Sequence, residues 1–126
     1  MSNEIRVTGN VGKNPEQKTV GDKKVTELSI FCDEWKWDEP AKEYKANGGD
    51  WYEVSIWNET LGDAVFTTIR QGARIEVLGH LALNQYTDKN GEAKTALRIR
   101  ADDVAHKLNR VEQIKLREKR EAAVPN

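Results

Sequence analysis

The chain is poor in the residues that build most catalytic and metal centres, with one cysteine and two histidines among 126 residues. A lone thiol, Cys32, has no internal disulfide partner, which fits a reducing compartment. Its apolar surroundings read as those of a buried strand residue, not of a reactive nucleophile. His80 and His106 have no cysteine or histidine at ligand spacing and read as surface or hydrogen-bonded residues. Carboxylates are adjacent at Asp33-Glu34 and Asp102-Asp103, but neighbours on a strand point to opposite faces, so neither pair builds a metal centre. Glycine-rich phosphate loops and nucleophile elbows are missing too. The expectation is a protein that is not an enzyme and uses no cofactor.

No run approaches the roughly 20 apolar residues of a membrane helix, and Met1-Ser2-Asn3-Glu4 lacks a basic-then-apolar leader, so a cytoplasmic, nucleoid-associated location is expected. A basic excess is lacking as well. Residues 1–105 hold 14 Lys/Arg and 18 Asp/Glu, or −4, while residues 106–126 hold 6 and 3, or +3. Any affinity for a polyanion has to come from local cations and stacking, not from overall charge.

What is present is alternation. In residues 50–58, Tyr52, Val54 and Ile56 share one strand face, and Trp51, Glu53, Ser55 and Trp57 share the other. The first set is a core face. The second is polar yet carries two indoles, which are either covered by another part of the protein or kept for a flat partner. Six residues separate them, about 20 Å at roughly 3.3 Å per residue, enough for separate bases.

A first strand is predicted near Ile5 and Val7, ending at Gly9-Asn10-Val11-Gly12, with a turn at Asn14-Pro15. Lys18-Thr19-Val20, a turn at Gly21-Asp22-Lys23-Lys24, and Val25 to Cys32 read together as an irregular or bulged second strand, in which a bulge near Thr26 would reconcile Val25 with Leu28, Ile30 and Cys32. Residues 33–50 form a long exposed connection or β-ribbon, with Trp35 and Trp37 flanking Lys36 and with Lys42, Tyr44 and Lys45 beyond. Asn58 or Thr60 caps a helix through Leu61, Val65 and Ile69 that ends before Gly72. Ile75, Val77, Leu81 and Leu83 line a strand bent at Gly79; a hairpin at residues 88–91 returns with Leu97 and Ile99 inward and Arg98 and Arg100 outward. Val104, Leu108, Val111 and Ile114 follow at helical spacing.

This order predicts an all-β fold: a five-stranded OB barrel with one helix between strands 3 and 4, over residues 1–105, plus a charged C-terminal helix or tail over 106–126. Candidate stacking residues are Trp35, Trp37, Trp51, Trp57 and Tyr86. Candidate phosphate contacts are Lys36, Lys42, Lys45, Arg98 and Arg100, with Arg6 and Arg74 behind them. The register leaves open which of Trp35 and Trp37 stacks.

The chain resembles the bacterial-type single-stranded DNA-binding proteins. The resemblance rests on residues 7–12 with Asn14-Pro15-Glu16, on Trp51-Tyr52-Glu53-Val54 with Trp57, on residues 71–79, and on residues 86–91. It implies binding of single-stranded DNA without marked sequence preference, in replication, recombination, repair or DNA transfer, by a homotetramer that also meets replication or recombination proteins. Family stacking aromatics fall on Trp51, Trp57 and Tyr86, and at or beside Trp35 or Trp37. The chain ends basic, in Arg117-Glu118-Lys119-Arg120, where housekeeping relatives carry an acidic recruiting tip, and this points to a specialised copy from a phage, plasmid or integrated element. The rival readings are an OB module whose aromatics hold a protein partner, and an RNA-binding OB protein.

Overall fold

A computed structural model describes residues 3–118. Its elements are β1 (Glu4–Val11), β2 (Glu16–Val20), β3 (Lys23–Asp38), β4 (Glu43–Ile56), α1 (Glu59–Thr68), β5 (Arg74–Thr87) and β6 (Ala93–His106). The strands follow the order β1-β5-β6-β4-β3-β2, and a further pairing of β1 with β3 joins the ends of a five-strand circuit. All pairings are antiparallel except β4 with β6, which run parallel from Tyr52–Leu97 to Ser55–Arg100.

The circuit sorts side chains by parity. Leu28, Ile30, Val54, Ile56, Ile75, Val77, Ile99 and Ala101 are buried inside it, with Val11 beside them, and α1 adds Val65 and Ile69. Apolar burial of this kind contributes about 25 cal/mol per Å2 and supplies most of the drive to close the sheet. Helix α1 starts where the sequence places it: the Asn58 side chain accepts from the Leu61 amide at 3.0 Å. Asp63 then ties the helix to the β2–β3 hairpin through Gln17 at 2.9 Å and Lys24 at 2.8 Å. Those two contacts hold the Asp63 carboxyl below its ordinary value, Lys24 foremost.

Closure depends on places where a side chain is missing. A Cβ on Gly9 would lie 2.5 Å from the Phe31 carbonyl oxygen, and one on Gly79 would lie 2.2 Å from that of Arg100. Only glycine lets β1 meet β3, and β5 cross β6, at that separation.

Several expectations are corrected. The turn after Val20 forms where the sequence places it, with Gly21 at φ +64°, but the segments on its two sides are separate strands, β2 and β3, paired in register from Glu16–Glu27 to Val20–Lys23. No bulge occurs near Thr26; Val25 and Thr26 are both buried although they face opposite ways. The irregularity lies between Asp33 and Trp35, where β4 carries the extra residue and Gly48 takes φ +82°. Leu83, expected in the core, is exposed because the β5–β6 ribbon runs past the closed circuit. The C-terminal helix does not form over the described residues. His106 still belongs to β6, paired with Ile75, and residues 107–118 have only a turn closed by the Val111 amide on the Leu108 carbonyl. The strand claims Val104 for the core, and Leu108 and Ile114 are left exposed, without the tertiary packing that supplies most helical stability. Residues 119–126 of that expected tail lie outside the described residues.

Cys32 is half-buried on the inward side of β3, and burial pushes its thiol up to about 11, outweighing the opposing pull of the Arg74 charge. A thiol reacts as its thiolate, so the folded protein is expected to react with iodoacetamide at pH 8 far more slowly than the unfolded protein. The two rates should converge as pH rises toward 11. Equal labelling of both forms at pH 8 would contradict the placement of Cys32.

Candidate nucleic-acid interface

The outward parity of β3, β4, β6 and β5 makes one surface. On β4 it presents Trp51, Glu53 and Ser55, followed by Trp57 just beyond the strand; on β6, Lys94, Ala96, Arg98 and Arg100; on β5, His80, Ala82, Asn84 and Tyr86. The short parallel β4–β6 ladder sets Glu53 beside Arg98 and Ser55 beside Arg100. Arg100 lies 5.5 Å over the Trp57 ring, and this cation–π contact leaves Trp57 half-buried. Arg98 Nε donates at 3.3 Å to the Asn84 side-chain oxygen in the amide orientation that also satisfies Leu83. Tyr86, Arg98 and Glu53 border a groove of about 340 Å3 between the β5–β6 ribbon and β4.

Trp51 is 55% exposed, a large apolar surface to leave in water. Its ring is fixed nonetheless. It packs against Phe31 with centroids 5.3 Å apart at 54°. On its other side it crosses Gly12, where an added Cβ would fall 2.6 Å from the indole. The Gly12 position therefore serves as a slot for the ring.

The connection over residues 33–50 is a β-ribbon arm. No residue is inserted in β3 along it, so Trp35 and Trp37 keep the parity of Phe31, and the bulge on β4 brings Tyr44 opposite Trp37. Trp37 and Tyr44 meet edge to face at 5.1 Å. Both indoles are half-exposed, and each donates its N–H to a nearby carboxylate: Trp35 to Asp33 at 2.7 Å, Trp37 to Glu39 at 2.6 Å. The Trp35 bond, with help from Arg74, holds the Asp33 carboxyl below its usual range. Asp33 Oδ1 is buried without a hydrogen bond; Arg74 stands 3.6 Å away, an ion pair rather than a hydrogen bond.

The candidate cations are placed unevenly. Arg98 and Arg100 lie on the aromatic surface. Lys36 and Lys45 pair on the opposite face of the arm from Trp35 and Trp37, with Lys45 bound to Asp38 at 3.0 Å, and Lys42 is bound to Glu39 at 2.6 Å at the tip. Arg74 donates to Asn10 at 3.1 Å. Arg6 is paired across from Leu78 on the far side of the circuit and does not join the site. Sequence reasoning missed Phe31 and Tyr44. Phe31 could have been found by its outward parity with Ser29, whereas Tyr44 depends on the bulge.

Residues 2–107 match the model of the single-strand binding protein family. The chain belongs to that family. A mitochondrial single-stranded DNA-binding protein of Xenopus laevis is 30% identical over 109 residues, covering 81% of this chain and 73% of that protein. A Rickettsia conorii single-stranded DNA-binding protein is 29% identical over 93 residues, covering 73% of this chain and 60% of that protein. Among solved structures, the small single-stranded DNA-binding protein of Streptomyces coelicolor superposes with a TM-score of 0.74 at 18% identity, over 87% of this chain and 98% of that one. A Plasmodium falciparum SSB in complex with ssDNA superposes with a TM-score of 0.66 at 25% identity, over 84% and 95% of the two chains. These likenesses agree with the OB-type fold expected from the strand order.

The Gly12 slot yields a direct check. In Gly12→Ala the methyl group has to displace an exposed ring rather than backbone, so the fold should survive while the indole swings away. The expected outcome is a changed near-UV circular dichroism band and tryptophan emission, with far-UV signal unchanged. An unchanged aromatic spectrum would show that Trp51 does not rest on Gly12.

Proposed function

We propose that this protein binds single-stranded DNA without strong sequence preference, as a five-stranded OB barrel that stacks bases and contacts phosphates and catalyses nothing. The observation that carries the reading is the convergence of exposed, pre-positioned aromatic rings with Arg98 and Arg100 on one sheet face. Every base has a π-face, so such platforms are indifferent to sequence, at about 1–3 kcal/mol per stacked base. Trp51 is the central platform, the arm aromatics Trp35 and Trp37 extend it, and Tyr86 bounds it on the β5–β6 side. Arg100 leaves the Trp57 ring for a phosphate when a base takes its place. Lys36 meets the strand from the back of the arm; Lys42 and Lys45 exchange solvent-screened ion pairs for phosphate. A homotetrameric assembly, a cytoplasmic location, and work in replication, recombination or repair belong to the same reading.

Titration with oligo(dT) should quench tryptophan fluorescence, and affinity should fall as salt rises. Trp51→Ala should weaken binding by about 1–3 kcal/mol. Trp57→Ala should cost less, because Arg100 already covers that ring. No quenching at low salt would sink the proposal; tighter binding of RNA of equal length would reassign the polymer.

A further inference from the structure

The aromatic face leaves a second group of cations unused. Where α1 ends, the turn through Gly72 and the segment after β6 enclose a cleft of about 280 Å3 whose lining includes the cations Arg70, Arg74, Lys107 and Arg110, together with His106, and no aspartate or glutamate. Arg70 and Arg74 come from the segment that sums to −4, and Lys107 and Arg110 from the +3 segment that follows it. The cleft is held by backbone: the Lys107 amide donates to the Arg74 carbonyl at 2.9 Å, and His106 pairs with Ile75. Two of its cations are occupied, Arg70 on the Phe66 carbonyl and Arg74 on Asn10 and Asp33. Lys107 and Arg110 have no carboxylate at ion-pair distance among the described residues. Like charges gathered around one cleft repel one another, and a bound anion relieves that repulsion.

The cleft is also continuous with the stacking surface. Trp51 packs on Phe31, Phe31 lies opposite Asn10 across the β1–β3 seam, and Asn10 accepts from Arg74, which lines the cleft. From β4 over β3 and β1 to β5 is three interstrand steps, roughly 14 Å at about 4.8 Å each.

We propose that this cleft binds backbone phosphates of the same DNA strand after it passes Trp51, with Lys107 and Arg110 as the binding cations. The proposal rests on the single-strand reading above. Stacking fixes bases, whereas this cleft takes only the charged backbone, so it lengthens the bound tract without adding sequence preference.

The test is fluorescence titration across a salt series with two oligonucleotides, a dT of about 6 residues and one of about 16, near the two ends of the range one OB fold occupies. The protein is compared with K107A/R110A and with K115A/R117A, which removes two equal charges that do not line the cleft. On the longer strand K107A/R110A should flatten the plot of log affinity against log salt by about 1.4, two phosphates at roughly 0.7 each. On the shorter strand it should match the unaltered protein, which also controls for folding. K115A/R117A should leave both plots unchanged. If the unaltered protein quenches with neither strand, the stacking reading fails and the cleft with it. If it quenches with both while K107A/R110A keeps the full slope, as it would were the cleft meant for an acidic protein segment, the cleft alone fails. Equal flattening by both double variants would likewise overturn a localised site.

Discussion

The molecule depends on the seam between β1 and β3. Only two register pairs, Asn10–Phe31 and Val11–Ile30, join the ends of the strand circuit, and they form because Gly9 offers no side chain to the Phe31 carbonyl. A sheet closed in this way has one inside, so parity along every strand becomes a choice between core and solvent. The inside takes small branched residues, Ile30, Val54, Ile56, Ile75, Val77 and Ile99. The outside is then free to carry large aromatics without harming the core. Phe31 stands at the seam itself, where the closure that organises the core also props the Trp51 ring.

A second constraint brings cations to this surface. The four-residue parallel ladder between β4 and β6 joins the β3–β4 half of the circuit to the β5–β6 half, and so brings Arg98 and Arg100 next to the tryptophan strand. Net charge matters less than this placement. At physiological salt the screening length is about 8 Å, so a phosphate feels the cations it touches and little of a distant carboxylate. Many carboxylates of the arm are also engaged: Asp38 with Lys45, Glu39 with Lys42 and Trp37, Asp33 with Trp35 and Arg74. A chain of net charge −1 can thus present a surface suited to a polyanion.

How much of this could be read from the sequence follows from the range of each interaction. The two-faced strand through Trp51 and Trp57 was legible because alternation is local, and so was the Asn58 cap, since one side chain meets an amide three residues on. The β1–β3 seam joins residues 21 and 19 positions apart and the parallel β4–β6 ladder residues 45 apart, and no local pattern encodes them. Over the described residues, the C-terminal helix was misread for the opposite reason. Val104, Leu108, Val111 and Ile114 do repeat at helical spacing, but pairing of Val77 with Val104 captures the first of them for the sheet. A weak local periodicity lost to a long-range ladder.

The arm shows how one bulge decides which aromatic rings share a face. Without the extra residue on β4, Tyr44 would face away from Trp37, and the ribbon would carry aromatics on both sides, each half-wasted. With it, Trp35, Trp37 and Tyr44 share the parity of Phe31 and Trp51, and the edge-to-face contact stiffens one side of the ribbon. The opposite side keeps Lys36 and Lys45 together, two like charges directly across a strand pair, which costs stability in isolation. That cost, and the absence of any buried residue from Glu34 to the tip, make the ribbon the least anchored part of β3 and β4. In the proposed reading a polyanion lying along it would relieve that repulsion, so binding and ordering of the arm would draw on the same pair of lysines.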